Sequence, residues 1–296
     1  MVAQKTHLPK FSRGETPPKI ILQKRDIDLL EALGKYRYLT TSQISKLIFP
    51  GKHEQGARRR LTKLYHNKYI DRLFLESGFV LGEAVYFLDR DGYKVIVQER
   101  GYEGNFQKKN RQVKPIFLRH TIDEIEFRLA LEKSVSELEH IELVKWYSEY
   151  DMKDSHATKR KDKYFIYDEI FDPNTTKVIS VYPDSLFVLG SSGREALYFL
   201  EVDRGTESSK KIIEKMRTYY LYFLSNKFSK YANVKRFKVL LVAHSHRRAE
   251  SLRSNVQGSL GIENFLFSNK ETIKKKDLLK KKIWFTGDGD RISIVK

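Results

Sequence analysis

The stretch Leu197-Tyr-Phe-Leu-Glu-Val-Asp-Arg-Gly-Thr206 constrains the rest of this chain most. Its first half is apolar enough for a strand inside a sheet, and its second half carries charge. Side chains alternate faces along a strand, so Glu201 and Asp203 share one face, two residues apart. Just upstream, Tyr182-Pro-Asp-Ser-Leu-Phe-Val-Leu189 reads as another short apolar strand with Asp184 at its start. If the two pair as a hairpin, Asp184, Glu201 and Asp203 gather at one edge of a sheet. Acids collected at one place in a chain of net charge +18 point to a metal ion.

A hard cation such as Mg²⁺ takes oxygen ligands, usually one or two carboxylates with waters and a phosphate oxygen. Asp184 and Glu201 are the candidate ligands, and Glu124 or Glu126 of a preceding helix could add one. Such an ion activates water and offsets charge on a phosphate as a P–O bond breaks. The reaction class is then phosphodiester hydrolysis, with Lys210, Lys211 or Lys215 supplying a cation to the transition state. The plainer reading makes Asp184 a turn cap after Pro183 and pairs Glu201 with Arg204 at the surface, where an ion pair is worth little.

The 296 residues allow two domains, and 40% hydrophobic content supports packed cores. The excess of cations points to a polyanion, nucleic acid first, with an anionic membrane surface as the competing reading. No run of about 18 apolar residues is present, so no membrane span is expected. The N-terminal residues lack the apolar centre of a secretory signal. There is no cysteine, which excludes disulfides and thiolate zinc sites and suits the cytoplasm.

Along the chain, residues 1–19 carry three prolines and no periodicity, and read as a flexible basic arm. Residues 20–100 read as one domain. Ile27, Leu30 and Leu33 recur at helical spacing, with Gly34 ending the helix. Thr40 or Thr41 caps a second helix. A third spans 54–67, with Leu61, Leu64 and Tyr65 inward and Arg58, Arg59, Arg60 and Lys63 toward its N-terminal half and outer face. Two extended segments follow, at 70–75 and 84–88, and then another helix after Asp89. Three helices and a β-hairpin are the order of a winged helix-turn-helix, whose third helix enters the major groove of double-stranded DNA. Arg58, Arg59, Arg60 and Lys63 are therefore candidate DNA contacts, the alternative being a winged helix used for protein contact.

Residues 101–115 are rich in Gly, Asn and Lys and read as a linker. Residues 116–296 open with a long helix on which His120, Glu124 and Arg128 form one polar row. Strands are expected at 141–147, 164–170 and 178–182, then the two opening strands, a helix over 208–224, a strand over 237–243, a helix over 247–256, and short strands at 265–267 and 283–286. This mixed α+β order implies a central sheet flanked by helices. Lys159, Arg160 and Lys161 lie in a basic loop that could meet DNA. His244 and His246 follow a buried strand without a further ligand cluster nearby. The lysine-rich segment 270–282 reads as a solvated helix, with a second DNA contact as the alternative.

The combination Pro183-Asp184, Glu201-Val-Asp203 on the next strand and Lys215-x-x-x-Tyr219 on the following helix resembles the PD-(D/E)XK restriction-endonuclease-like superfamily. With the winged helix, His120 and the string Leu-Glu-Val-Asp-Arg-Gly-Thr206, most of residues 25–290 resembles the replication-relaxation family of plasmids and other mobile elements. The resemblance implies a restriction-endonuclease-like α/β domain over 116–296, DNA as the partner, and a role in plasmid replication or relaxation. It implies Asp184, Glu201, Asp203 and Lys215 as catalytic positions, with Mg²⁺ held by Asp184, Glu201 and Glu124. A homodimer, and other proteins of plasmid replication or mobilisation, are the further partners left open. One departure matters. Asp203 stands where the nuclease pattern has lysine, so the lysine has moved to the helix, Lys215 or Lys210, or the domain keeps the fold without the chemistry. In the second case the protein is a replication initiator or transcriptional regulator that does not cut. A second acid beside Glu201 raises a carboxylate pKa unless a cation, or an arginine such as Arg204, answers it.

Overall fold

The structure is a computed structural model that describes residues 8–51, 54–77, 80–104, 106, 110–205 and 207–295. Its contacts divide the chain into two compact units, residues 1–125 and 126–296. The class is mixed α+β.

The first unit runs α1 (Lys24–Tyr36), β1 (Leu39–Thr40), α2 (Thr41–Ile48), α3 (Glu54–His66), β2 (Ile70–Ser77), β3 (Val80–Leu88) and α4 (Arg90–Arg100). The three strands make an antiparallel sheet in the order β1-β3-β2. This is the element order expected of a winged helix. Thr40 caps α2, with its side chain and that of Gln43 exchanging hydrogen bonds with each other's backbone N–H. Asp89 caps α4 by accepting from the Arg90 N–H at 2.7 Å. Leu29, Leu30, Leu33, Leu61 and Leu64 are buried, as their helical spacing predicts. The expected hairpin turn includes Gly78 and Phe79, which lie outside the described residues.

Three features of this unit depart from the sequence reading. Gly34 does not end α1, which runs on to Tyr36. A Cβ at Gly34 would sit 3.0 Å from the Tyr102 ring and 3.1 Å from Ile96, so the glycine serves a close approach inside the helix. The described part of the N-terminal arm is strapped to the unit. Lys10 O accepts from Arg72 at 2.6 Å, the Gly14 N–H donates to His66 Nδ1 at 2.9 Å, and Pro18 O accepts from Asn67 at 2.9 Å. Nor do the described residues of 101–115 form a free linker. Tyr102 donates to Gly34 O at 2.9 Å, and Asn110 is held by Arg37 at 2.9 Å and by Tyr38. Residues 1–7, 105 and 107–109 of these segments lie outside the described residues.

The long helix α5 (Pro115–Ser136) begins in the first unit and ends in the second. The second unit continues with β4 (Glu142–Ser148), α6 (Arg160–Lys163), β5 (Asp168–Asp172), β6 (Lys177–Val181), β7 (Ser185–Ser191), β8 (Arg194–Asp203), α7 (Ser209–Ser225), β9 (Phe237–Ala243), α8 (His246–Asn255), β10 (Phe265–Asn269), α9 (Lys270–Lys275), β11 (Trp284–Phe285) and β12 (Arg291–Ile292). Seven strands form one mixed sheet in the order β12-β11-β10-β9-β8-β7-β4. β7 and β8 are an antiparallel hairpin, while β8, β9 and β10 are parallel, with α7 and α8 as crossovers. β5 and β6 form a separate hairpin. The strand expected from residue 164 therefore starts only at Asp168, because α6 and an isolated bridge at Tyr164 precede it.

Period-two alternation sorts the interior strands into two cores. Leu186, Val188, Leu197, Phe199, Val239 and Leu241 face Ile212, Met216 and Tyr219 of α7 and Leu252 of α8. Phe187, Leu189, Tyr198, Leu200, Leu240 and Val242 face Phe127 and Leu131 of α5 together with Ile273, Leu278 and Trp284. The sheet is thus the middle of three layers. The lysine-rich segment departs from the expected solvated helix. Only 270–275 is helical, and Leu278 and Leu279 just beyond it are fully buried.

Candidate functional site

By the alternation of β8, Glu201 and Asp203 point to the same side as Phe199, toward the layer of α7 and α8. Both are buried, each 4% exposed. A buried carboxylate needs partners or must neutralise, and each finds different ones. Glu201 Oε2 accepts from Lys215 Nζ at 2.7 Å, and Glu201 Oε1 accepts from the Tyr219 hydroxyl at 2.5 Å. Lys215 and Tyr219 lie one helical turn apart on α7, so one face of that helix supplies both. Lys215 Nζ also reaches Glu207 Oε2 at 3.1 Å. Ser208 caps α7 by accepting from the Lys211 N–H at 3.4 Å. Lys210 and Lys211 themselves are exposed. The lysine alongside the acids is therefore Lys215.

Asp203 turns to α8. Arg248 Nε donates to its Oδ2 at 2.7 Å and Arg248 Nη2 to its Oδ1 at 3.2 Å, while Nη2 also bonds Glu207 O. The arginine that answers Asp203 is thus Arg248, where the sequence suggested Arg204. Ser245 caps α8 and sets its phase, and the His244 N–H donates to Asp203 O at 2.9 Å. Gly205, at φ 82°, closes the strand. A Cβ there would lie 2.8 Å from the His244 ring, so the Asp-Arg-Gly string needs its glycine. Thr206 lies outside the described residues.

Asp184 sits at the foot of β7, where Oδ2 accepts from the Val202 N–H at 2.7 Å. It thereby grips β8 between Glu201 and Asp203. Burial pushes the Glu201 carboxyl up to about 7, with the Lys215 ammonium pulling it down and the Asp184 charge adding to the rise. Burial works against the charge on Lys215, but Glu201, Asp184 and Glu207 more than offset it and raise its pKa. Burial, with Glu201 beside it, also raises Tyr219, which stays a proton donor to that carboxylate. The expected rise in a carboxylate pKa is present, but it comes from burial and Asp184.

The expected gathering of three carboxylates does not form. Among the described residues no group of three or more His, Asp and Glu side chains is placed to hold a metal ion. Asp203 is drawn off by Arg248, and Glu124 is buried on α5. His246 faces Glu250 at 3.5 Å. What remains is the pair Asp184 and Glu201, two oxygen donors whose mutual repulsion a dication would relieve. Mg²⁺ takes one or two carboxylates when waters and a phosphate complete its shell, and these two are the expected ligands left for it.

The basic positions fall into two groups. On α3, Arg59 and Lys63 are exposed, and Arg58 pairs with Glu54 at 2.6 Å while remaining 63% exposed. Arg60 instead turns inward, its Nε donating to the buried Asp26 at 2.8 Å and its Nη2 to Ile21 O at 2.8 Å. A groove of about 890 Å³ lies beside α3, lined among others by Thr41, Ser42, Arg58, Thr62 and Arg72. In the second unit Lys159, Arg160 and Lys161 are exposed at the start of α6. The Arg160 guanidinium lies 5.6 Å from the Tyr182 ring, two residues before Asp184. Lys161 pairs with Glu169 at 3.7 Å.

A family model described as replication-relaxation matches residues 30–236, more than half of the chain. The chain belongs to the replication-relaxation family. No curated protein and no solved structure matches it. The replication-relaxation match takes in α3, Asp184, Glu201, Asp203 and Lys215. It stops just before β9, so Arg248 comes from outside it. Sequence reasoning missed Arg248 and Glu207 as members of the cluster. The available signal was Ser245, a capping residue right after a strand parallel to β8, which starts a helix beside the end of that strand.

Proposed function

We propose that this member of the replication-relaxation family binds double-stranded DNA through α3 and the β2–β3 hairpin of its first unit. Its second unit nicks or cleaves DNA during replication or relaxation of a plasmid or other mobile element, in the cytoplasm. The observation that carries the catalytic part is the 2.7 Å contact of Lys215 with Glu201. It supports a lysine that has moved from the strand to the helix and still meets the acid.

In this reading Asp184 and Glu201 would hold Mg²⁺, which when bound would supply an activated water and offset charge on the scissile phosphate. Lys215, 29% exposed at its side chain, can follow charge from Glu201 to the phosphate oxygens. Tyr219 keeps Glu201 oriented through its hydroxyl. Lys159 and Arg160 hold the phosphates of the strand approaching Asp184, and Arg58, Arg59 and Lys63 those of the recognition site.

A second reading, binding without cutting, is favoured by one observation. Both oxygens of Glu201 are already engaged, by Lys215 and Tyr219, and Asp203 is neutralised by Arg248. The chain is then an initiator or regulator. Incubation with supercoiled, linear and branched DNA, with Mg²⁺ or with EDTA, separates the two. The catalytic reading expects Mg²⁺-dependent nicked or linear product from the wild type and none from Glu201→Ala or Lys215→Met. Absence of product on all three substrates leaves the binding reading.

A further inference from the structure

Between Glu271 and Asp288 the chain carries six lysines, at 274–276 and 280–282, against one acid, Asp277. Lys274 faces Glu126 at 3.6 Å. Lys275, Lys276, Lys280, Lys281 and Lys282 are exposed, and no ion pair among the described residues engages them. Asp277 does not answer them either. Its Oδ1 accepts from the Leu279 and Lys280 N–H groups at 2.8 and 2.9 Å and serves the turn.

The backbone under these lysines is pinned. The Leu278 N–H donates to the buried Ser134 Oγ at 3.1 Å, Trp284 Nε1 donates to Leu278 O at 3.0 Å, and the Val295 N–H donates to Leu279 O at 3.0 Å. Ile273, Leu278, Leu279 and Ile283 anchor the segment from beneath. Five like charges held together repel one another, and the fold holds them there. A pinned backbone lowers the ordering cost when several ammonium groups bind at once.

We propose that this lysine-rich turn is a second nucleic-acid contact, a surface that takes the phosphate backbone of DNA independently of α3 and of the Asp184–Glu201 site. The partner is a polyphosphate strand, because every large apolar side chain of residues 273–284 faces inward and none is left to enter a bilayer. A membrane-seated helix pairs its lysines with an exposed apolar face. The inference rests on the reading of the chain as DNA-binding and adds a contact apart from α3, from Lys159 and Arg160 and from the Asp184–Glu201 site.

The test is duplex-DNA affinity of the full chain in EDTA, as a function of salt. One variant carries Lys275→Gln, Lys280→Gln and Lys281→Gln, and a charge-matched control carries Lys133→Gln, Lys177→Gln and Lys235→Gln. Each lost phosphate contact lowers the slope of log affinity against log salt by about 0.9. The first variant is expected to lose about 2 or more from that slope and the control less than about 1, with both melting like the wild type. Equal slopes in the two variants overturn the proposal while leaving DNA binding by α3 intact. A wild type that binds no duplex overturns both. Binding to phosphatidylserine vesicles that is lost in the first variant, with its DNA slope unchanged, assigns the turn to membranes and also overturns it.

Discussion

Arg248→Met isolates what the buried carboxylate of Asp203 requires. The Asp203 side chain is 2% exposed and the Arg248 side chain 19%. Two guanidinium hydrogen bonds, at 2.7 and 3.2 Å, are the contacts that offset its loss of water. Removing one partner of such a pair leaves an uncompensated buried charge and costs about 3–5 kcal/mol. The Arg58–Glu54 pair offers the contrast, at 63% and 43% exposure. Truncating it costs under about 1 kcal/mol. For a unit of this size the Arg248 deficit corresponds to a melting temperature lower by roughly 10 °C. Urea unfolding of the full chain, followed by near-ultraviolet circular dichroism, reads it directly. Adding Asp203→Leu to Arg248→Met should recover most of the loss, because an apolar replacement of a whole buried pair is close to neutral. A deficit below about 1 kcal/mol in the single variant, or a double variant no better than the single, refutes the argument.

Other outcomes follow from the same geometry. Glu201 has a folded pKa near 7 against 4.5 for the free group, so the folded chain keeps a proton that the unfolded chain releases. Its contribution to stability is present below about 4.5 and is lost as pH rises to about 7. Glu201→Gln should flatten this part of the stability–pH curve. Lys215→Met should move the Glu201 titration, read by carboxyl ¹³C chemical shift, to higher pH, since Lys215 pulls it down. Arg58→Ala with Arg59→Ala should lower the salt slope of duplex binding by about 2 without changing the melt. Arg60→Ala should do the reverse, because its partner is Asp26. Gly34→Ala should shift the Tyr102 ring, which the added methyl meets, and so forgo the stabilisation of about 1 kcal/mol that Ala brings to an open helix position, as read by the melt of the full chain.

Much of the site was legible because it depends on short-range periodicities. The alternation of β8 places Glu201 and Asp203 on one side, and the turn of α7 places Lys215 over Tyr219. The strand pairing of Asp184 with this edge needed only a hairpin. What escaped the sequence depends on tertiary neighbours. Arg248 lies 45 residues beyond Asp203 and reaches it because β9 pairs in parallel with β8, bringing Ala243 beside Asp203. Gly34 resembles a helix stop until the Tyr102 ring occupies the space a side chain would need. The described part of the N-terminal arm looks free in the sequence because backbone groups, which leave no trace in composition, hold it down. The lysine-rich segment hides Leu278 and Leu279 among charges, where no helical stripe reveals them.

The connection between β8 and β9 ties chemistry to rotation. Parallel neighbours require a crossover, and α7 is that crossover, so the helix that closes the sheet also delivers Lys215. Each residue added inside α7 ahead of Lys215 would swing the Lys215 ammonium and the Tyr219 hydroxyl together by about 100° around the helix axis relative to the Ser208 cap, away from Glu201. A residue added before the Ser208 cap leaves that phase untouched. Length variation in this family should therefore be confined to the bend between Asp203 and Ser208, with the spacing from Ser208 to Tyr219 conserved like the tooth count of a gear.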